Sequence, residues 1–334
     1  MHAMTLARWF GLAALLLPAA ALATTGSEPL DGLQRRPWQP GAPGIEVPLW
    51  PTGMAITPPA YPGPEVFGFS KGTIAGKPIQ MVQHVSRPTM AIYPAKGVNS
   101  GAALLVFPGG GYRVLAIDLE GTEICDWATA KGITCAVLKY RVPGSGPYWN
   151  DECHCRRDPP APMALQDAQR AMGLLRERAA QFRFNPARVG VVGFSAGGRM
   201  VADISNHPAR AYTPVDAADR LPSRPDFAMA LYPGHLWDGE PGGIALTKEV
   251  AIDPKAPPTF IAQAGDDATD DVRESLTYYL ALQQASVPVE MHLYPEGGHA
   301  FGVRPTDKPI SHWTGLAEGW MLRLGILSRG VPTR

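Results

Sequence analysis

The chain predicts an α/β protein: a doubly wound, mostly parallel sheet with helices on both faces. Three observations carry that expectation. From residue 102 onward, short apolar runs alternate with helix-length stretches, and no linker-like shift in composition interrupts them, as successive strand and helix units in one sheet require. The runs Ala102-Ala103-Leu104-Leu105-Val106-Phe107 and Val189-Gly190-Val191-Val192 are continuously apolar, which suits central strands covered on both sides. Several runs then end in loops that carry glycine, serine, aspartate or histidine, and parallel sheets place ligands at the carboxyl ends of their strands.

The chain has 334 residues, of which 45% are hydrophobic, enough for a sizeable core. Lys plus Arg and Asp plus Glu number 30 each, so no global field attracts nucleic acid or acidic lipid. The 36 glycines and 35 prolines are spread among apolar runs and mark many ordered turns. Residues 1–23 read as a secretory signal, with Arg8 as the positive charge, an apolar stretch over 10–17 and Ala21-Leu22-Ala23 as a small-x-small cleavage site. That stretch is too short to span a bilayer, and no other is long and apolar enough. The expected product is periplasmic or secreted, free of membrane after cleavage, and a monomer or small homo-oligomer.

Export makes disulfides possible for Cys125, Cys135, Cys153 and Cys155, with three connectivities open. Cys153 and Cys155 are too close to bridge each other easily, so one of them is expected to reach Cys125 or Cys135. Zinc at Cys153-His154-Cys155 is a weak alternative, since no second pair stands at ligand spacing. The expectation is that no metal or cofactor is used.

Residues 24–64 are rich in Pro and Gly and read as an extended arm anchored by Trp50, with disorder an equal expectation up to about residue 43. The catalytic domain is expected over 65–334. Residues 79–85 and 89–93 look like strands opening the sheet, joined by a turn at Ser86-Arg87-Pro88. Strand 102–107 runs into Pro108-Gly109-Gly110-Gly111-Tyr112, where backbone N–H groups can approach a bound group unhindered. A phosphate cradle there would want Lys-Ser or Lys-Thr, which Tyr112-Arg113 does not supply. Residues 120–131 should be a helix ended by Gly132, and 134–138 a buried strand. The long segment 140–162, with Tyr148 and Trp149, should wall the substrate site. Helix 163–180 follows, its alanines at 164, 168 and 171 lying with Leu175 on one face. Next come a strand from Val189 that Pro186 precedes, helix 196–206, strand 227–232 and a loop with His235 and Trp237. Strand 258–264, helix 270–285, strand 287–294 and helix 311–324 complete the chain.

The strongest motif is Gly193-Phe194-Ser195-Ala196-Gly197, a nucleophile elbow in which a strand turns sharply into a helix and lifts the serine above the sheet. A Cβ at Gly193 or Gly197 would collide with neighbouring backbone, and the helix N-terminus offers N–H groups to an oxyanion. A serine hydroxyl at neutral pH needs a base, and the base an orienting acid. In such sheets the order is Ser, acid, His. His299 follows a strand on a Gly-Gly loop, whereas His292 lies within a strand and His312 near the last helix. Asp266 and Asp267 compete for the acid, both at the end of strand 258–264.

These residues, with Glu120-Gly121, Leu138-Lys139-Tyr140-Arg141, Asp167-Ala168-Gln169-Arg170-Ala171 and Gly297-Gly298-His299-Ala300-Phe301, resemble the α/β-hydrolase superfamily. Within it they are similar to bacterial acetyl xylan esterases and feruloyl esterases, related to dienelactone hydrolase. The resemblance implies Ser195 as nucleophile, His299 as base, Asp267 as acid, and an oxyanion hole from Ala196 with Gly110 or Gly111. Family members often have Val-Pro shortly after the acid, where this chain has Thr269-Asp270-Asp271-Val272. Tyr112, Trp149 and Trp237 are expected to contact substrate. The expected activity is deacetylation of xylan or its oligosaccharides, with feruloyl or general short-chain ester hydrolysis as the alternative. A non-catalytic carbohydrate-binding role would not need an intact Ser195 and His299.

Overall fold

The computed structural model describes residues 30–59, 63–142, 149–150, 155–156, 162–240 and 242–328, with only the backbone at 149–150 and 155–156. The segment expected as a signal, Tyr148, Cys153 and His154 lie outside the described residues, as do the side chains of Trp149 and Cys155.

The strands in chain order are β1 Asp31–Gln34, β2 Ile45–Pro48, β3 Val66–Ile74, β4 Lys77–Gln83, β5 Thr89–Tyr93, β6 Ala103–Phe107, β7 Val114–Ala116, β8 Thr134–Lys139, β9 Trp149–Asn150, β10 Cys155–Arg156, β11 Val189–Phe194, β12 Ala228–Leu231, β13 Thr259–Ala264 and β14 Val289–Tyr294. The helices are α1 Glu123–Ala130, α2 Pro162–Glu177, α3 Ala179–Phe182, α4 Ala196–Asn206, α5 Arg273–Gln284 and α6 Trp313–Arg323. The main sheet runs β14-β13-β12-β11-β6-β8-β5-β2. From β14 to β8 all neighbours are parallel, and β5 and β2 add an antiparallel edge. Strands β6, β8, β11, β12 and β13 are buried at every residue, the consequence of mostly apolar runs covered on both faces. The chain reverses its direction of winding between β6 and β11, so a crevice opens above their carboxyl ends.

Two expectations for the N-terminal region are corrected. Residues 79–85 do not open the main sheet. Strand β4 instead joins a second sheet in the order β1-β3-β4-β7, antiparallel throughout. Residues 24–64 are not simply an extended arm, because β1 enters that second sheet and β2 edges the main one. Trp50 docks as an anchor: its indole N–H donates to Asp167 Oδ1 at 2.8 Å.

The disulfide expectation is corrected as well. Cys125 on α1 pairs with Cys135 on β8, their Cα atoms 5.2 Å apart. These elements are consecutive and joined by a tight turn at 131–133, in which Ile133 N–H donates to Ala128 O, so their facing positions meet without help from a distant loop.

Trp50, Arg141 and Asp167 tie the arm to the rim of the sheet. Arg141 Nη2 lies 2.7 Å from Asp167 Oδ1, with the two side chains 1% and 0% exposed. Arg141 Nε and backbone N–H also donate to Asp167, and Nη1 donates to Thr57 O at 2.8 Å. Removing the cation leaves a carboxylate buried without its partner, the expensive way to break a buried pair. Arg141→Met is therefore expected to destabilise the fold by about 3–5 kcal/mol, read as a lower urea midpoint at unchanged slope.

Candidate active site

The serine is presented by the junction of β11 and α4. Ser195 has φ +52° and ψ −119°, a sparsely populated conformation that persists only where the surroundings enforce it. They do so here. The Ser195 N–H donates to Leu231 O at 3.1 Å, and its carbonyl accepts from Gly198 at 2.8 Å and Gly234 at 3.1 Å. A Cβ on Gly193 would overlap the carbonyl of Gly197, and one on Gly197 would overlap that of Phe107. Both glycines are required by close backbone approach. Ala196 opens an eleven-residue helix, so its N–H has no carbonyl a turn behind it within that helix.

The loop after β6 faces this turn. Gly110, Gly111 and Tyr112 all have positive φ, at +129°, +58° and +57°, which curls the loop back so that Arg113 N–H donates to Gly110 O at 3.0 Å. Two buried side chains hold its base. Tyr140 OH donates to Pro108 O at 2.7 Å, and Glu120 Oε2 accepts the Gly109 N–H at 2.7 Å. Gly109 is thereby engaged, and its N–H is not open to an oxyanion. Glu120 is 2% exposed, and its other oxygen accepts from Tyr232 OH at 2.8 Å. Burial raises its pKa above the usual carboxylate range, against the hydrogen bonds and the charge of His299. Sequence reasoning gave Glu120 no role; its signal was an acid on the inward face of a turn between Leu119 and Ile124, both fully buried.

The residues expected as base and acid, His299 and Asp267, come from the loops after β14 and β13. His299 Nδ1 lies 2.8 Å from Asp267 Oδ2, and the Asp267 side chain is fully buried. Asp267 Oδ1 accepts from the N–H groups of Thr269 at 2.9 Å and Asp270 at 3.0 Å. The exposed Asp266 turns away and accepts from Gly298 N–H at 2.7 Å. The ring of His299 stands edge-on to Tyr232, centroids 4.9 Å apart. Ser195 Oγ donates its proton to Asp270 Oδ2 at 3.0 Å, and that oxygen is 3.7 Å from His299 Nε2. Burial lowers the imidazole pKa, but the hydrogen bond to Asp267 and the charges of Asp270, Asp267 and Glu120 outweigh it and raise the group above its ordinary 6.5.

A cleft of about 300 Å³ opens over Ser195 and His299. Its apolar wall comes from Ile79, Met81 and Ala116 of the second sheet, where the sequence suggested the segment 140–162. His235, from the loop after β12, also faces the cleft. Tyr112 and Trp237 do not line it. Tyr112 is 4% exposed and packs against Tyr140 and His235. Trp237 lies under the guanidinium of Arg273, 3.7 Å away, and donates to Gly243 O. Larger hollows, of about 410 and 550 Å³, are lined in part by the N-terminal region and do not include Ser195. Among the described residues no group of three or more His, Cys, Asp or Glu is placed to hold a metal ion.

The chain is similar to known proteins along most of its length. It is 30% identical over 224 residues to an acetylxylan esterase of Xylanibacter ruminicola, covering 61% of this chain and 42% of that protein. It is 26% identical over 228 residues to an ethyl acetate hydrolase of Pseudomonas putida, covering 60% and 66%. The chain thus spans less than half the length of the acetylxylan esterase it matches. Among solved structures, an acetyl ester-xyloside bifunctional hydrolase from Caldicellulosiruptor lactoaceticus superposes with a TM-score of 0.65 at 27% identity, over 85% of this chain and 98% of that one. A family model described as the alpha/beta hydrolase fold matches residues 157–251. With that fold shared over most of its length, and a serine at the turn from β11 into α4, the chain has the α/β-hydrolase fold.

Proposed function

We propose that the chain is an exported serine carboxylic-ester hydrolase that removes acetyl groups from xylan or xylo-oligosaccharides. The observation that carries this reading is the hydrogen bond of His299 Nδ1 to buried Asp267, in the cleft that also holds Ser195. The Ser195 hydroxyl turns from Asp270 toward His299 Nε2, which takes its proton as the oxygen attacks the ester carbonyl. The N–H groups of Ala196 and of Gly110 or Gly111 hold the tetrahedral oxyanion. His299 then protonates the leaving alcohol, and a water that it activates releases the acid from the acyl-enzyme. The apolar wall of Ile79, Met81 and Ala116 gives an acetyl methyl a dry surface. Likeness to the acetylxylan esterase supports the sugar ester, and likeness to the ethyl acetate hydrolase supports a general short-chain esterase as the second reading. Residues 1–23 would direct export, and no helix among the described residues is long and apolar enough to cross a membrane.

The test combines fluorophosphonate labelling with product release from acetylated xylan, a feruloylated oligosaccharide and an aryl acetate. Labelling of Ser195 and acetate from xylan is the expected result. Aryl acetate hydrolysis without acetate from xylan favours the general esterase, and absence of labelling rejects both.

A further inference from the structure

The turn after β13 brings a second carboxylate to His299, and the steps above do not use it. Asp267 and Asp270 are three positions apart. The Asp270 N–H donates to Asp267 Oδ1 at 3.0 Å, and this turns the two side chains onto opposite ring nitrogens: Asp267 Oδ2 at 2.8 Å from Nδ1 and Asp270 Oδ2 at 3.7 Å from Nε2. The position of Asp270 is built rather than incidental. Its carbonyl accepts from Gln263 Nε2 at 2.7 Å, and Gln263 is itself held by the Ser275 hydroxyl. Its carboxyl fits against Gly234, where a Cβ would come within 2.6 Å of Oδ1. The residue is 3% exposed.

This placement has a chemical consequence. A serine has one hydroxyl proton, and here it points to Asp270. In that state it is not aimed at the lone pair that must receive it. A carboxylate beside Nε2 also favours the imidazolium, which cannot act as a base. We propose that Asp270 is a positioning residue: it holds the Ser195 hydroxyl away from His299 in a resting form and so sets the pH at which turnover begins. The proposal rests on the serine-hydrolase reading above.

The groups facing His299 are Asp267 and Asp270 from the turn after β13, Glu120 from the turn before α1, and Tyr232 at the end of β12. Arg113 and His235 share the cleft. Behind Asp270 sits Glu274, which burial pushes up to about 7. Replacing Asp270 by Asn removes one of these charges at nearly constant size. The active form carries neutral His299, so the acid limb of kcat/KM follows its proton loss in the free enzyme. Without the Asp270 charge that proton leaves at lower pH. The limb is expected to move down by about one pH unit, giving a roughly tenfold gain below both limbs.

Two measurements test this. The first is the pH profile of kcat/KM on an aryl acetate for wild type, Asp270→Asn and Asp270→Ala, each checked for an intact thermal melt. The second needs no substrate: NMR titration of the His299 ring, assigned by its loss in His299→Ala. Downward shifts of both the limb and the ring titration support the proposal. An unmoved ring titration overturns it, and so does loss of turnover at every pH in folded variants, which would make Asp270 itself the base. Failure of the wild type to hydrolyse any ester would instead count against the serine-hydrolase reading, which the ring titration does not depend on.

Discussion

Ser195→Ala is expected to lower kcat for ester hydrolysis by about 10⁶-fold, the scale on which loss of a serine nucleophile acts in a catalytic triad. In the proposed mechanism the hydroxyl is the group of residue 195 that reacts, and the backbone that holds it does not depend on it. The Ser195 N–H and carbonyl make four backbone hydrogen bonds, to Leu231, Gly198, Arg199 and Gly234, and alanine keeps all four. Alanine meets much the same difficulty as serine at φ +52°. What is lost is the hydrogen bond from Oγ to Asp270, so the melt should stay within about 2 kcal/mol of wild type. Residual catalysis from the oxyanion donors and from binding can persist. Near-wild-type kcat on an aryl acetate, measured beside a thermal melt of the same protein, would remove Ser195 from the mechanism.

Legibility in the sequence followed locality. The elbow was readable because its constraints sit within five residues: the serine must be lifted, and its two glycines admit no Cβ. Strands β6, β8, β11 and β13 were readable because burial on both faces leaves a mostly apolar run. The second sheet was not. All four residues of β1 are exposed, and β3 and β4 mix buried and exposed positions, so their partners are set by distant ladders rather than by local pattern. The disulfide was missed because pairing follows Cα geometry, which spacing alone does not reveal. The start of α5 was missed as well. The sequence suggested a helix from residue 270, but it begins at Arg273, whose N–H is accepted by the Asp271 carboxylate. The preceding turn is held by Asp267, whose carboxylate captures the N–H groups of Thr269 and Asp270.

The same capture determines what Asp267→Asn should do. That substitution is expected to cost about 10⁴-fold in kcat, as loss of the orienting carboxylate does in a serine triad, whereas Asp266→Asn should stay within a few-fold of wild type. Asp267 uses both oxygens. Oδ1 accepts two backbone N–H groups, and Oδ2 accepts from His299 Nδ1. Asparagine has a single carbonyl oxygen, and the two N–H groups of Thr269 and Asp270 draw it to the Oδ1 position. Its NH₂ then faces Nδ1 and demands a lone pair there, which moves the ring proton to Nε2. A histidine protonated on Nε2 has no site left to accept the Ser195 proton. Asp266, by contrast, is exposed and accepts the N–H of Gly298, so its loss loosens one turn of the His299 loop without changing the tautomer. The comparison is of kcat for the two variants on the same aryl acetate, with the His299 ring signals reporting the tautomer. If Asp266→Asn proves the more damaging, the orienting role passes to Asp266.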